Sequence, residues 1–402
     1  MRIVRKILST ISKTVACILV ILIMAIAITS FSPVYRFRAP KPFSGPDIYN
    51  PYSKLDTAIL WKRANFHTHT RVEGIMNECE YWPAEVYSKL ENLGYDIVTF
   101  SNHNELTTHP FDTSLQVNVY EHGLNLLKYH KLVFGPDKVM RYDHLLPVFA
   151  FQKQFQINCL NEDSDLVQIN HPLRTPTLSG CQMKKLSGYR LIELDSGRST
   201  ENTYWDVALS AGHYSFAVAN DDLHYPDRSS RTAVRCCFLC CESAKWSDIK
   251  RCLLDGCFYC MRVPDYGHGD WDVKRERNKH LPRITNIGIS DIGNIYVSLS
   301  SNADSIKVTG QDHKTLMLSC NTSSLEYKLK PDDSYARITA YFPEGEVIYT
   351  NAFARYDTSL SDSPFSDEPI DINILLTIVY NLAMLIICTL CAYTLYKLFR
   401  RK

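Results

Sequence analysis

The sequence has no excess of charge of either sign: 44 Lys and Arg stand against 43 Asp and Glu in 402 residues. A chain that lives on nucleic-acid phosphates needs a basic surplus, so no nucleic-acid partner is expected. The locally basic stretch 274–283 reads as a solvated linker. Charge is also missing from two long runs, residues 14–31 and residues 372–396. At about 1.5 Å per residue each is long enough to cross a bilayer. A cleaved signal peptide would share the charged start made by Arg2, Arg5, Lys6 and Lys13. No cleavage site stands out, so an uncleaved anchor is expected at 14–31, and a second transmembrane helix at 372–399. Lys397, Arg400, Arg401 and Lys402 close the second run. Positive residues thus flank the outer side of both runs. That places both termini in the cytoplasm and residues 32–371 outside it, held at the cell (inner) membrane.

Residues 32–60 lack any hydrophobic period and carry five prolines, as a tether would. Helical patterns are missing again beyond residue 282. Short alternating runs replace them at 284–289, 294–299, 305–309, 315–319, 326–329, 335–342 and 347–353, separated by Gly, Asn and Asp turns. This predicts a small antiparallel β-sandwich over 283–357.

Cysteine is plentiful, at fourteen, with seven between 236 and 260. Cys237-x2-Cys240 and Cys257-x2-Cys260 have a zinc-ribbon spacing, and an extracytoplasmic chain can form disulfides. Both segments also read as buried strands, in which residues i and i+3 face opposite ways. Core packing is therefore the primary expectation, with disulfides and zinc as alternatives.

Between 61 and 275 strands alternate with helices. Strands are expected at 63–67, 95–101, 147–151, 165–170, 189–194, 214–220 and 256–261, and helices at 83–93, 114–127, 203–211 and 246–254. Such repetition predicts a parallel sheet with helices outside. His67 and His69 are two apart, so on a strand they share one face. His103, His171, Glu193, and the Asp222/His224 pair fall at four further strand ends. A (β/α) barrel gathers its strand ends into one mouth, and imidazoles with carboxylates there suit Mn, Zn or Fe. The remaining histidines read as surface or packing residues; of these, His109 and His268 lie in polar loops able to reach the mouth.

The segments NFHTHT, TFSNHN, INHPLR, LIELDSG and ANDDLHY, in this order, resemble the polymerase and histidinol phosphatase (PHP) family. The resemblance implies a distorted (β/α)7 barrel holding one to three divalent metal ions and hydrolysing phosphoric esters. Carried over, it implies metal ligands at His67, His69, Glu73, His103, His171, Glu193, Asp222 and His224. Asp222 or Glu73 would orient the attacking water, while Arg174, with Arg71 nearby, would grip a small phosphorylated or ester substrate. Two departures are visible. Asn102 stands where the family has an aspartate. Residues 147–159 offer Gln152, Gln154 and Gln156 but no acid, where the family has a glutamate bridging two metals, and a following histidine has no counterpart. A membrane-anchored hydrolase is the primary reading. A pseudoenzyme serving as a binding module, and a zinc protein organised by its cysteines, are the alternatives.

Overall fold

A computed structural model describes residues 2–73, 77–197, 201–365 and 370–400, together with their side chains except those of Arg2 and His268. The chain opens on a long apolar helix, α1 (Arg2–Thr29), followed by a short strand, β1 (Asp47–Tyr49). β2 (Lys62–Asn65), α2 (Pro83–Asn92) and β3 (Ile97–Val98) make one parallel βαβ unit. Pro83 opens α2, where its missing N–H is no loss. Glu85 Oε2 reaches back to accept from Trp82 N at 2.8 Å. Next come β4 (Val119–His122) and β5 (Lys131–Phe134), then α3 (Ala150–Glu162), β6 (Leu166–Ile169), α4 (Gly180–Met183), β7 (Leu191–Ser196), α5 (Tyr204–Ser210) and β8 (Phe216–Asn220). β9 (Arg235–Leu239), α6 (Trp246–Asp255), β10 (Phe258–Arg262) and α7 (Trp271–Asn278) follow. The C-terminal part is β11 (Ile284–Ile289), β12 (Ile295–Gly310), β13 (Lys314–Tyr327), β14 (Tyr335–Tyr341), β15 (Val347–Thr350) and β16 (Phe353–Tyr356), and the chain returns through a second apolar helix, α8 (Ile374–Arg400).

The expected ring of seven parallel βα units is not formed. The strands fall into two sheets, neither closed on itself. β4-β5-β6-β7-β8 make the first, and β2, β3, β9, β10 and the C-terminal strands the second. The reason is local. β4 and β5 are joined by a short loop without a helix, so they pair antiparallel. β9 and β10 likewise run antiparallel, despite α6 between them. The C-terminal strands extend this second sheet directly, since β15 pairs with both β10 and β14. Single bridges between Thr68 and Leu223 and between His103 and Glu121 lie at the seam of the two sheets.

Two element assignments change. The stretch 114–127, expected to be helical, holds β4, whose four residues are all buried. The strand expected at 147–151 is instead the start of α3, a helix that buries Gln152, Lys153, Gln154 and Gln156. The three parallel strands of the first sheet, β6, β7 and β8, bury both faces, as parallel strands under helices do.

All seven cysteines between 236 and 260 are buried and none is in a disulfide. The β9–β10 register sets Cys237 opposite Cys260, with sulfurs 3.5 Å apart. No cysteine joins a metal-type donor group among the described residues. They fill core volume, so neither the disulfide nor the zinc-ribbon alternative is formed.

α1 and α8 are each long and apolar enough to cross a membrane, by length and composition. The chain segments beside them are stitched together, with Val34 N donating to Thr377 Oγ1 at 2.9 Å and Asn373 N to Val34 O at 2.7 Å.

The C-terminal strands are pinned to α5 by a buried ion pair. Arg337, fully enclosed, donates Nε and Nη2 to the two oxygens of Asp206, both at 2.8 Å, and Nη2 also meets Glu201 Oε1 at 2.7 Å. Removing one partner leaves a buried charge alone, which costs about 3–5 kcal/mol. Arg337→Met is therefore expected to lower the thermal midpoint of the full chain in detergent by more than Arg277→Met, whose guanidinium is half-exposed; equal midpoints would remove the pin.

Candidate metal centre

The centre is built where the two sheets meet. Beyond β2 the chain continues extended through His67 and His69. Leu223 N donates to His67 O at 3.1 Å, His69 N to Leu223 O at 2.8 Å, and Ser101 N to Thr68 O at 2.8 Å. Held on both sides, the segment points both imidazoles the same way, as the i, i+2 spacing requires. Beyond β3, Asn104 N donates to Glu121 O at 2.9 Å and Glu121 N to Asn102 O at 3.2 Å. This brings β4 alongside His103. Asn102 does a structural job: Oδ1 accepts from Thr70 N at 2.8 Å, and Nδ2 donates to the hydroxyls of Thr70 and Thr107, both at 2.7 Å.

Glu121 is the hub. Its Oε2 lies 3.2 Å from His67 Nε2, 3.2 Å from His69 Nε2 and 3.3 Å from His103 Nε2. Its Oε1 lies 3.1 Å from His130 Nδ1 and 3.2 Å from His171 Nε2, and accepts from Asn170 Nδ2 at 2.9 Å. Asp222 stands across from it, Oδ1 at 3.2 Å from His67 Nε2, 3.5 Å from His69 Nε2 and 3.2 Å from His224 Nε2. Asp222 Oδ2 is paired with Arg174. Glu78 Oε2 completes the outer side at 2.9 Å from His103 Nε2. Backbone strain accompanies the arrangement: Asp222, His171 and Asn104 sit at φ of 49°, 24° and 49°, positions L-residues occupy at a cost.

The donors fit a cation. His67, His69, Glu121 and Asp222 bring ligand atoms within 4.8 Å of one another, as do His69, Glu78 and His103, and His103, Glu121 and His130. His67 Nε2 and His69 Nε2 are buried and make no hydrogen bond, although carboxylate oxygens lie close by. Atoms so placed converge on a point between them rather than on each other. Glu193 supports this from behind. Its Oε1 accepts from His67 Nδ1 at 2.7 Å, fixing the tautomer that leaves Nε2 bare, and its Oε2 accepts from His171 N at 2.7 Å.

Without a cation, protons must balance the buried carboxylates. Burial pulls His67 down, but Glu121, Glu193 and Asp222 outweigh it and hold it well above the ordinary value. His69 behaves alike: burial lowers it, and Asp222 and Glu121 lift it to about 9. Burial raises Glu121, and His67, His103 and His130 bring it well below the carboxylate range. Glu78 is held at about 2, first by its bond to His103.

Most of the residues expected from sequence meet here: His67, His69, His103, His171, Asp222 and His224 surround one space, with Glu193 gripping a ligand rather than joining a donor group. Glu73 does not. It is exposed, and among the described residues its carboxylate pairs with none of the histidines; Glu78 takes that side. Arg174 borders the centre, while Arg71 lies over the Trp82 ring. His109 accepts backbone N–H bonds from Phe111 and Asp112, away from the cluster. The His268 side chain lies outside the described residues. Glu121, His130 and Glu78 were not anticipated. The available signal was a glutamate inside a run of β-formers, Val117 to His122.

No protein-family model and no curated protein matches this chain. Among solved structures, it is similar to a two-domain protein from Bacteroides vulgatus containing a predicted PHP-like metal-dependent phosphoesterase. That match has 14 % identity and a TM-score of 0.38, and covers 78 % of this chain and 99 % of the other. It is also similar to a lesion-specific endonuclease from Pyrococcus furiosus, at 11 % identity and a TM-score of 0.34, covering 48 % of this chain and 56 % of that one.

Two outcomes are expected. Glu193→Gln should weaken Mn2+ or Zn2+ binding by about 10–100-fold, as loss of a supporting carboxylate does, read by calorimetry on the full chain; unchanged affinity would deny it that role. The His69 proton stabilises the metal-free fold fully below about pH 6.5, the free value, and this contribution is lost as pH rises through about 9. The thermal midpoint of the metal-free chain should fall over that window, and saturating cation should remove the fall, because ligating imidazole is neutral.

Proposed function

We propose that this chain is a metal-dependent phosphoric ester hydrolase anchored by α1 and α8, its centre on the side of the membrane away from the positively flanked termini. The observation that carries the reading is Glu121. One buried carboxylate presents Oε2 to three imidazoles and Oε1 to two others. A glutamate so placed would help hold more than one cation, one with His67, His69 and Asp222 and another with His103 and His130. The absence of an acid from residues 147–159 had favoured a pseudoenzyme; Glu121 removes that ground.

A divalent cation, when bound, supplies a Lewis acid for a phosphoryl oxygen and makes water a better nucleophile near neutral pH. The chain supplies the rest. Arg174 is 28 % exposed in its side chain and anchored through Asp222, so its fork is oriented for a phosphoryl group entering from outside. His224, partly exposed and 3.2 Å from Asp222, is placed to hand a proton to a leaving alcohol. Asp222 holds both in register. Glu73 has no role in this scheme.

The purified full chain is expected to carry about two Mn, Fe or Zn ions, as paired-ion hydrolase sites do, and to hydrolyse p-nitrophenyl phosphate. Glu121→Gln should lose metal and activity together. Arg174→Ala should keep the metal and lose about 100-fold in kcat/KM, in line with removing one charge-stabilising donor. Full metal content with no turnover of aryl phosphates would leave a binding module instead.

A further inference from the structure

The face beside the metal centre is tied to the ends of the two apolar helices. Tyr142 OH donates to the carbonyls of Thr29 and Phe31 at 3.2 and 3.1 Å, and Leu145 N donates to Thr29 Oγ1 at 3.2 Å. Gln152 Nε2 donates to Tyr380 OH at 3.1 Å, and the Phe151 ring meets the Tyr380 ring edge-on at 4.9 Å. Tyr380 stands six residues past Ile374, where α8 begins. That is about 9 Å along the helix. The polar layer on one side of a bilayer is about 5–8 Å deep. With Ile374 set at the outer edge of a membrane that α8 crosses, the segment 142–152, which reaches Tyr380, therefore meets the head-group layer down to its inner boundary rather than lying above it.

The same face delivers the residues around the metal centre. Leu126 N donates to Leu145 O at 3.0 Å, Thr175 Oγ1 to Lys128 O at 2.9 Å, and Thr177 Oγ1 to Pro147 O at 3.1 Å. Loops 123–130, 142–152 and 171–177 thus form one layer. The first ends on His130, and the third carries His171 and Arg174. This layer also exposes apolar side chains: Leu124, Leu126, Phe149 and Leu173 are 44, 59, 50 and 50 % open to solvent. Lys128, exposed, stands in the first of these loops, and Arg141, exposed, directly precedes the second. Apolar groups that dip, set beside cations, are what an anionic head-group layer accommodates.

We propose that the opening of the metal centre lies against the leaflet on its own side and takes the phosphoester head group of a membrane lipid. This rests on the phosphoesterase reading above. In the reaction, water adds to phosphorus and the ester P–O bond breaks. The lipid alcohol leaves with the proton that water gives up, and phosphate is released.

The test uses the full chain, loaded with Mn2+, in phosphatidylcholine vesicles containing phosphatidic acid. Phosphate release from phosphatidic acid is expected to exceed release from glycerol 3-phosphate by at least about tenfold in kcat/KM. Leu124→Asp with Leu126→Asp should lower lipid turnover by about tenfold and leave p-nitrophenyl phosphate turnover unchanged, since only apolar insertion is lost. Phe149→Trp should add fluorescence that bromine-labelled phosphatidylcholine quenches, whereas Ile292→Trp, on an exposed turn far along the chain, should not. Turnover of the soluble esters with no preference for the lipid, or no quenching at 149, overturns the proposal while the phosphoesterase reading stands. Turnover of no phosphate ester by metal-loaded protein overturns both.

Discussion

A carboxylate with no exposure to water, surrounded by five imidazoles, is the constraint on which the rest of this structure depends. Burying an isolated carboxylate is prohibitive, so Glu121 is tolerable only where positive charge arrives from several directions. Its neighbours come from the loop before β5, the chain beyond β2, the chain beyond β3, and the loop after β6. No single element could supply them. Each sheet contributes part of the set, and the two sheets meet along the line where the set closes. The centre is thereby a structural keystone as well as a candidate site: protons hold it together in the metal-free state, and a cation would replace them.

That dual role accounts for the backbone around it. Asp222, His171 and Asn104 occupy the left-handed region without being glycine. Asp222 and His171 each stand two residues beyond a strand, β8 and β6, and Asn104 follows β3 six residues on. Gly197 at φ 50° is the complementary case. A Cβ there would come to 3.1 Å from Asp222 Oδ2, so the close approach of the chain after β7 to Asp222, together with the left-handed φ, favours glycine. Three of the positive-φ positions thus gather at the centre, while others, such as Ala233, Asp312 and Asn321, lie elsewhere.

Much of the site was legible because strand geometry is simple. Two histidines two residues apart face one way on any strand, and polar residues at the ends of apolar runs are easy to find. His67, His69, His103, His171, Asp222 and His224 were visible for that reason, and the two apolar helices for reasons of length alone. Glu121 and His130 were not. Residues 114–127 contain enough Leu, Gln and Glu to suggest a helix, and that pattern conceals the strand β4 and the carboxylate it carries. Glu78 lacked any pattern, since it approaches from an irregular loop. The closed parallel ring fails for a related reason: β4 and β5 form a hairpin, and a hairpin cannot be parallel.

The same misplacement explains why residues 147–159 hold glutamines and no acid. Residues 150–159 belong to α3, a helix outside the sheet, and residues 147–149 lead into it. Its buried polar side chains answer a different demand. Lys131, on β5 next to His130, is fully buried, and burial brings it down to about 8 against the pull of Asp143 and Glu121. Gln156 Oε1 accepts from its Nζ at 2.9 Å, while Gln156 Nε2 donates to Asp143. Lys153 Nζ donates to the carbonyls of Pro147 and Val148 at 2.8 and 3.1 Å. An amide can donate to an anion and accept from a cation at once, which a carboxylate cannot. Glutamine is therefore the residue that lets a buried lysine and a half-buried aspartate share one wall without adding to the negative charge already concentrated around Glu121. The absence of helical periodicity in α3 follows from that wall, and so does the absence of the acid that was sought there.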